Sequence, residues 1–233
     1  MMRILLVNDD GILADGIWAL YDFLAGEHDV TVCAPDRQCS GFSHSITIAQ
    51  RLRVRRYACG GARAWAVAGT PADCVLLGLG ALAEGGVDLV ISGINDGLNV
   101  AGDVHYSGTI GAACEACMQG VRALAVSTRG GNRDYAATLE LTRRMMDRAM
   151  SEGHPGCFFS LNVPAGRPLG LRLAPLGLRS SAVRYERAAG GDGCDEYGMT
   201  LVSSRLEPGS DAALVRDGYA VYTEISCDWT RRM

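Results

Sequence analysis

The chain has 233 residues, 48% hydrophobic and 21% charged, which is typical of one large folded domain or of a core domain with an insertion. Its net charge of −4 and the absence of a basic block argue against a nucleic-acid polymer as partner. No apolar stretch approaches the roughly 20 residues of a membrane span. The first apolar run is short and ends in two aspartates, so we expect no signal peptide. Nine cysteines then indicate reduced thiols in a cytoplasmic protein.

Asp9 and Asp10 come directly after a short apolar run, residues 4–7. A continuous apolar run of this length, bounded by a turn, predicts a strand buried on both faces, as in parallel sheets. Ligands of such sheets bind beyond the carboxyl ends of the strands. Adjacent carboxylates repel each other, so we expect a cation between them. A hard divalent metal suits their oxygen atoms.

Strand and helix patterns alternate along the next 150 residues. A helix follows Gly11 and ends near Gly26, and a second strand leads into a polar loop at 36–45. Period-2 alternation predicts a half-exposed strand over residues 46–57. Further strands are predicted at 64–68, 88–91, 123–127 and 158–163, and helices at 70–84, 107–120 and 135–150. This alternation favours a three-layer, doubly wound, mostly parallel α/β sheet of the Rossmann-like class.

The pattern changes after residue 165. Short alternating segments at 169–178 and 199–206, separated by turns, predict an antiparallel, β-rich appendage. One short helix at 211–217 and a last strand at 219–225 follow. We therefore divide the chain into an α/β core, residues 1–165, and a C-terminal extension, residues 166–233.

Most polar residues of the core lie in three loops at predicted strand ends, 8–11, 36–45 and 92–109. Because the carboxyl ends of parallel strands meet at one edge, we expect these loops to converge. Together they offer an all-oxygen ligand shell made of Asp9, Asp10, Asn95 and one hydroxyl such as Ser40. Such a shell suits Mg²⁺ or Mn²⁺. The third loop also feeds a helix N-terminus, whose free N–H groups can bind an anion.

Other interpretations of these residues are weaker. Taken alone, the first loop would also fit an ordinary strand-to-helix turn. A phosphoacceptor receiver domain shares the acidic pair but needs a lysine, and this chain has none. Aspartyl phosphatases use D-x-D, whereas Gly11 stands two residues after Asp9. Cys114 and Cys117 form a C-x-x-C inside a predicted helix, without a second pair at zinc spacing, so we expect core positions.

Several ordered motifs over residues 3–164 resemble the survival protein E family of metal-dependent nucleotidases. The motifs that carry this resemblance are Arg3 to Ile12, Ala34 to Arg37 with Ser40-Gly41, His44 to Thr47, Gly69 to Val75, Ser92 to Asn95 with Gly97 and Asn99, Tyr106 to Thr109, and Asn162 to Pro164. The C-terminal part departs from the family, because Thr223-Glu224-Ile225 stands where a Thr-Pro is usual.

The resemblance implies hydrolysis of nucleoside 5′- and 3′-monophosphates, sometimes with exopolyphosphatase activity. It implies one divalent metal per subunit, Mg²⁺ or Mn²⁺, and homodimers or homotetramers assembled through the C-terminal part. The implied metal ligands are Asp9, Asp10, Ser40 and Asn95.

The expected reaction is attack of a metal-activated water on the phosphate. Asp9 is our candidate to orient or deprotonate this water, with Asp10 mainly a ligand. The residues expected to hold the phosphate or meet the substrate are Asn99, Ser107, Gly108, Thr109 and His44. Two alternatives stay open, namely an exopolyphosphatase with incidental nucleotidase activity and a non-catalytic nucleotide-binding regulatory module.

Overall fold

The computed structural model describes residues 1–178, 181–191, 194–203, 206–228 and 230. The strands are β1 Arg3–Val7, β2 Asp29–Pro35, β3 Val54–Arg56, β4 Arg63–Val67, β5 Leu89–Asp96, β6 Arg122–Thr128, β7 Cys157–Val163, β8 Leu171–Leu173, β9 Ser181–Ala188, β10 Glu196–Ser203 and β11 Ala220–Ser226. The α-helices are α1 Asp15–Leu24, α2 Pro71–Leu77, α3 Gly108–Met118, α4 Ala136–Glu152 and α5 Asp211–Arg216. A π-helical turn, Gly78–Leu82, extends α2, and a 3₁₀ turn, Ala101–His105, precedes α3.

Nine strands form the main sheet in the order β3-β4-β2-β1-β5-β6-β7-β11-β8. The central strands run parallel, from β4 through β7, while β3 and β11 are antiparallel to their neighbours β4 and β7. Chain order reverses between β1 and β5, which makes their carboxyl ends the topological switch point of a doubly wound sheet. The predicted fold class, including an additional antiparallel sheet, is therefore confirmed.

The two faces of the sheet are covered by separate apolar clusters. On β1, Ile4 and Leu6 join the cluster beneath α1 and α4, whereas Leu5 and Val7 join the cluster beneath α2 and α3. Alternate side chains of a strand point to opposite faces, so an uninterrupted apolar run is what a strand between two helical layers requires. This burial fixes the depth at which β1 ends and Asn8 begins.

The strand predicted over residues 46–57 is wrong for most of its length, since only Val54–Arg56 is extended in a sheet. Thr47 instead donates its backbone N–H and its hydroxyl to the Asp73 carboxylate, at 2.9 and 2.6 Å. Asp73 belongs to the capping box of α2, which begins after Thr70 as predicted. The alternation of apolar residues there reflects no buried face, because Ile46 and Ile48 are exposed.

The C-terminal extension divides between two sheets. β8 and β11 complete the main sheet, and α5 packs with them over a third small apolar cluster. β9 and β10 form a separate antiparallel hairpin, and residues 204 and 205 of the predicted 199–206 strand lie outside the described residues. The proposed division at residue 165 remains a prediction.

In the described part of the chain, no helix has both the length and the apolar composition needed to cross a membrane.

Candidate active site

The turn after β1 is fixed by the Asn8 side chain. Its amide nitrogen donates to the Gly11 carbonyl at 2.9 Å, and its Oδ1 accepts from the Gly11 N–H at 3.2 Å. Asn side chains stabilise turns by bonding to backbone groups a few residues along the chain. Asp9 and Asp10 are held between these two anchors at the switch point of the sheet.

Asp9 is buried and bonded to the first turn of α3. The Thr109 hydroxyl donates to Asp9 Oδ1 at 2.6 Å, and the Cys39 N–H donates to the Asp9 carbonyl at 2.7 Å. Burial raises the pKa of Asp9, and the charge of Asp10 adds to this effect, while the hydrogen bond from Thr109 opposes it. Burial therefore disfavours the ionised form of the Asp9 carboxylate, and these hydrogen bonds hold the residue at a fixed position.

Asp10 is less buried and faces the end of β5. The Asp96 N–H donates to Asp10 Oδ2 at 2.9 Å. Burial raises the pKa of Asp10, whereas this hydrogen bond and the positive charge of Arg133 lower it. Arg133 lies in a small cleft with Asp10 and pairs with Asp15 at 3.0 Å. Sequence patterns did not indicate Arg133, because it lies in a polar loop outside the motifs.

The N-terminus of α3 approaches Asp9 so closely that only glycine fits at residue 108. A β-carbon on Gly108 would lie 2.8 Å from Asp9 Cβ and 3.1 Å from Asp9 Oδ2. Ser107 caps the helix by accepting from the Ile110 N–H at 3.2 Å. The positive end of a helix dipole therefore lies against Asp9. A helix N-terminus of this kind is also suited to bind a phosphate.

A bulge in β5 brings the third loop to the same edge. The register between β5 and β6 shifts between Ser92 and Asn95. Gly93 has φ +143°, and a β-carbon there would lie 2.2 Å from the Val126 carbonyl oxygen, so glycine is required. Asn95 donates its amide nitrogen to the Gly97 carbonyl at 2.7 Å. Its remaining polar atom is Oδ1, the type of oxygen that hard cations bind.

Asn99 is buried behind this loop. Its amide nitrogen donates to Ser127 Oγ at 2.9 Å, and its backbone exchanges two hydrogen bonds with the Asn162 side chain. These bonds tie the loop to β6 and β7. The structure therefore gives Asn99 a place in shaping the loop, and its contact with phosphate stays a prediction.

Ser40 and His44 lie on the loop after β2. Ser40 is exposed and follows Cys39, whose N–H reaches the Asp9 carbonyl, so the backbone of this loop passes beside the end of β1. His44 points along α3, with Nε2 at 2.7 Å from Glu115 Oε2. Gln119 donates to the other oxygen of Glu115 at 2.8 Å. Sequence patterns missed Glu115, because an acidic residue within a helix is normally solvent-exposed.

The C-x-x-C cysteines are buried core residues, as predicted. Cys114 Sγ lies 3.4 Å from Cys227 Sγ, and burial raises the pKa of Cys117 to about 12. Burial therefore favours the protonated form of both thiols.

The donor set at the switch point fits a hard divalent cation. Asp9 and Asp10 supply two carboxylates whose pKa values are raised by burial, and a cation would favour their ionised forms. Among the described residues, no group of three or more His, Cys, Asp or Glu side chains forms a metal cage. Further ligands would therefore be neutral oxygens, such as those of Ser40 and Asn95, which Mg²⁺ and Mn²⁺ accept.

Fold and site together define a doubly wound α/β protein that gathers two carboxylates and a helix N-terminus at its switch point. The model of the survival protein SurE family matches residues 4–182. The resemblance seen in the sequence is confirmed, and the chain belongs to this family.

Named relatives match nearly the whole chain. The "5′-nucleotidase SurE" of Idiomarina loihiensis is 40% identical over 99% of this chain and 94% of the relative. The "5′-nucleotidase SurE" of Pelotomaculum thermopropionicum is 38% identical, with 98% and 91% covered. The crystal structure of the SurE protein from Aquifex aeolicus superposes with a TM-score of 0.86 at 33% identity, covering 98% of this chain and 95% of that one.

Proposed function

We propose that this protein is a metal-dependent 5′-nucleotidase that hydrolyses nucleoside monophosphates to nucleoside and phosphate. One observation carries the proposal: Thr109, in the first turn of α3, bonds to Asp9, so a helix N-terminus lies against one of the two adjacent carboxylates. A helix N-terminus suits phosphate, and paired carboxylates suit a cation. The names of full-length relatives support the same activity.

Asp9, Asp10, Ser40 and Asn95 would hold one Mg²⁺ or Mn²⁺ ion. When bound, such an ion neutralises charge on the phosphate and lowers the pKa of water. Asp9 takes a proton from the attacking water as the oxygen of that water bonds to phosphorus. The bond between phosphorus and the nucleoside oxygen breaks, and the nucleoside oxygen receives the proton from Asp9, which restores the carboxylate. Thr109 keeps the Asp9 carboxylate oriented for this transfer. The N–H groups at the start of α3 bind the phosphate oxygens.

Phosphate release from a panel of substrates tests this function. We expect turnover of nucleoside 5′- and 3′-monophosphates with Mg²⁺ or Mn²⁺, and loss of both in excess chelator. Activity that persists in chelator would rule out the metal. Faster release from polyphosphate than from any monophosphate would identify an exopolyphosphatase. Calorimetry that detects nucleotide binding without phosphate release would identify a regulatory module.

We also propose that the protein forms a homodimer or homotetramer through the β9–β10 hairpin. Five large apolar side chains of the hairpin are exposed, namely Val183, Tyr185, Tyr197, Met199 and Leu201. The register pairs Tyr185 with Met199 and Val183 with Leu201, which places them on one face. Two-stranded ribbons are marginally stable alone, and such a face gains stability when a second copy covers it.

All nine cysteines are free thiols, which suits a cytoplasmic location.

A further inference from the structure

A fourth loop, residues 129–135 after β6, also reaches the edge of the sheet where the candidate site lies. It was not among the three loops that the sequence predicted to converge there. The register between β5 and β6 ends with Asp96 paired to Thr128, so the loop starts beside the residue that follows Asn95. Asp96 is therefore the point at which this loop meets the expected metal ligands.

Asp96 binds two different partners through its backbone and its side chain. Its backbone N–H donates to Asp10 Oδ2 at 2.9 Å. Its side-chain Oδ1 accepts from the Gly131 N–H at 2.6 Å. Gly131 has φ +78°, a left-handed conformation that favours glycine. One residue therefore links the turn of the fourth loop to one of the two adjacent carboxylates of the site.

The fourth loop is itself tied to strands of the main sheet. The Arg129 N–H donates to the Val163 carbonyl at 3.1 Å, at the end of β7. The Asn132 amide nitrogen donates to Thr128 Oγ1 at 3.1 Å, and Thr128 is buried at the end of β6. Because these bonds hold the loop against two parallel strands, Gly131 gives the Asp96 carboxylate a fixed anchor.

This anchor acts on the end of β5, which carries Asn95 as well as Asp96. Hydrogen bonds from surrounding groups orient the carboxylates that hold a metal and tune its affinity. The Asp96 N–H is such a group for Asp10, and its position depends on where the last residues of β5 lie. Asn95 is the preceding residue, so a shift of this strand end would move two of the expected ligands together.

We propose that Asp96 is a positioning residue of the metal site, whose bond to Gly131 fixes the end of β5 and thereby the orientation of Asp10. This role rests on the proposed metal-dependent activity. Asp96 acts through Asp10 and Asn95, without binding the metal itself. The loop after β6 thus helps to set the affinity for the cation.

The test measures affinity for Mn²⁺, whose free concentration is read by electron paramagnetic resonance. Asp96→Ala removes the bond to the Gly131 N–H at an exposed position, where folding tolerates substitution. Its Kd for Mn²⁺ should rise by about 10- to 100-fold, the usual cost of losing a group that orients a metal ligand. At saturating Mn²⁺ its kcat should return to the wild-type value, because the ligands themselves are unchanged.

Asp96→Asn separates the anchor from the charge, because its amide oxygen can still accept from the Gly131 N–H. Its Kd for Mn²⁺ should rise by less than about fivefold, the effect of one exposed charge. Asp134→Ala is the matched control, because it loses a comparable bond, from the Ala136 N–H at 3.0 Å, at the other end of the loop. It should keep the wild-type Kd.

A Kd for Asp96→Ala within about fivefold of the wild type would overturn the positioning role. Equal Kd values for Asp96→Ala and Asp96→Asn would overturn it too, since charge would then set the affinity, and so would an equal loss in Asp134→Ala. All three results leave the nucleotidase proposal intact, because the wild type would still bind Mn²⁺ and release phosphate. A wild type that binds no Mn²⁺ and releases no phosphate from nucleotides would overturn both proposals.

Discussion

The first turn of α3 and the β9–β10 hairpin differ in which kind of side chain they bury and which kind they expose. At α3, the polar groups of Asp9 and Thr109 are buried and satisfied by each other. On the hairpin, large apolar side chains are between 52% and 64% exposed. Buried polar groups must find partners within the chain, whereas an exposed apolar face gains from a partner outside it. The proposed chemistry therefore uses residues of one chain, whereas the proposed assembly uses the exposed face of the hairpin.

The largest expected effect comes from Asp9→Asn, which keeps the shape of the side chain and removes its charge. Turnover should fall by about 10²–10⁴-fold, as for loss of a general base. In excess chelator the variant should unfold at a higher temperature than the wild type, because burial disfavours the Asp9 carboxylate. Asp22→Asn, an exposed position on α1, is the control. Unchanged turnover in Asp9→Asn would contradict the assignment.

Asp9 and Asp10 should make the metal-free protein less stable as the pH rises, and a divalent cation should offset this loss of stability. In the unfolded chain Asp9 and Asp10 ionise near 3.8, and the fold raises both pKa values. Above pH 3.8 the metal-free folded protein therefore binds more protons than the unfolded chain does. Its free energy of unfolding should decrease as the pH rises from 3.8 through the raised pKa values of Asp9 and Asp10. Mg²⁺ at 100 times its Kd should restore about 2.7 kcal/mol at neutral pH. Thermal melts at several pH values, with and without Mg²⁺, measure both effects.

Gly108→Ala tests whether the close approach of α3 to Asp9 is needed. The added carbon meets Asp9 Cβ at 2.8 Å, and overpacking of this kind destabilises by roughly 1–3 kcal/mol. Turnover should decrease as well, because the helix start must move away from the carboxylate. Gly80→Ala, in the π-helical turn with open space around it, should leave stability unchanged or slightly raised. Equal denaturation midpoints and turnover for both variants would contradict this interpretation.

The smallest effect on the folded chain is expected from the hairpin. Leu201→Asp places a charge on its apolar face and should convert the oligomer to monomers in analytical ultracentrifugation. Unfolding of the monomer should change by less than about 0.5 kcal/mol, as for exposed positions. Thr200→Asp, on the opposite face of the same strand, should leave the oligomer intact. A wild type that sediments as a monomer at all concentrations would refute assembly through this face.

Local patterns in the sequence predict the parallel core well, because its strands are buried on both faces. Interactions between residues close in sequence determine two of these features. They are the buried strand at Ile4 to Val7 and the capping box of Thr70 and Asp73. The prediction of a strand over residues 46–57 was wrong, because alternating apolar and polar residues form a strand only where a neighbouring strand is available for pairing. There the Asp73 carboxylate, 26 residues away in sequence, takes the Thr47 N–H that a ladder would use.

Sequence patterns predicted that the three loops of the candidate site meet at one edge of the sheet. They could not predict which residues of these loops contact each other. The bond between Thr109 and Asp9 spans 100 residues, and the pairing of His44 with Glu115 spans 71. Such contacts depend on the order of strands and on the tilt of α3. Arg133 comes near Asp10 for the same reason. These features become visible only when the sheet is assembled.

The position of β11 between β7 and β8 has a consequence for synthesis of the protein. Within the described residues, β8 has one neighbour in the sheet, β11, which is made about 50 residues later. During translation β7 therefore lacks its neighbour β11, and β8 has no strand to pair with until β11 has been made. Uncovered edges invite pairing with other chains. Until β11 emerges, the β7 edge is therefore open to pairing with other chains.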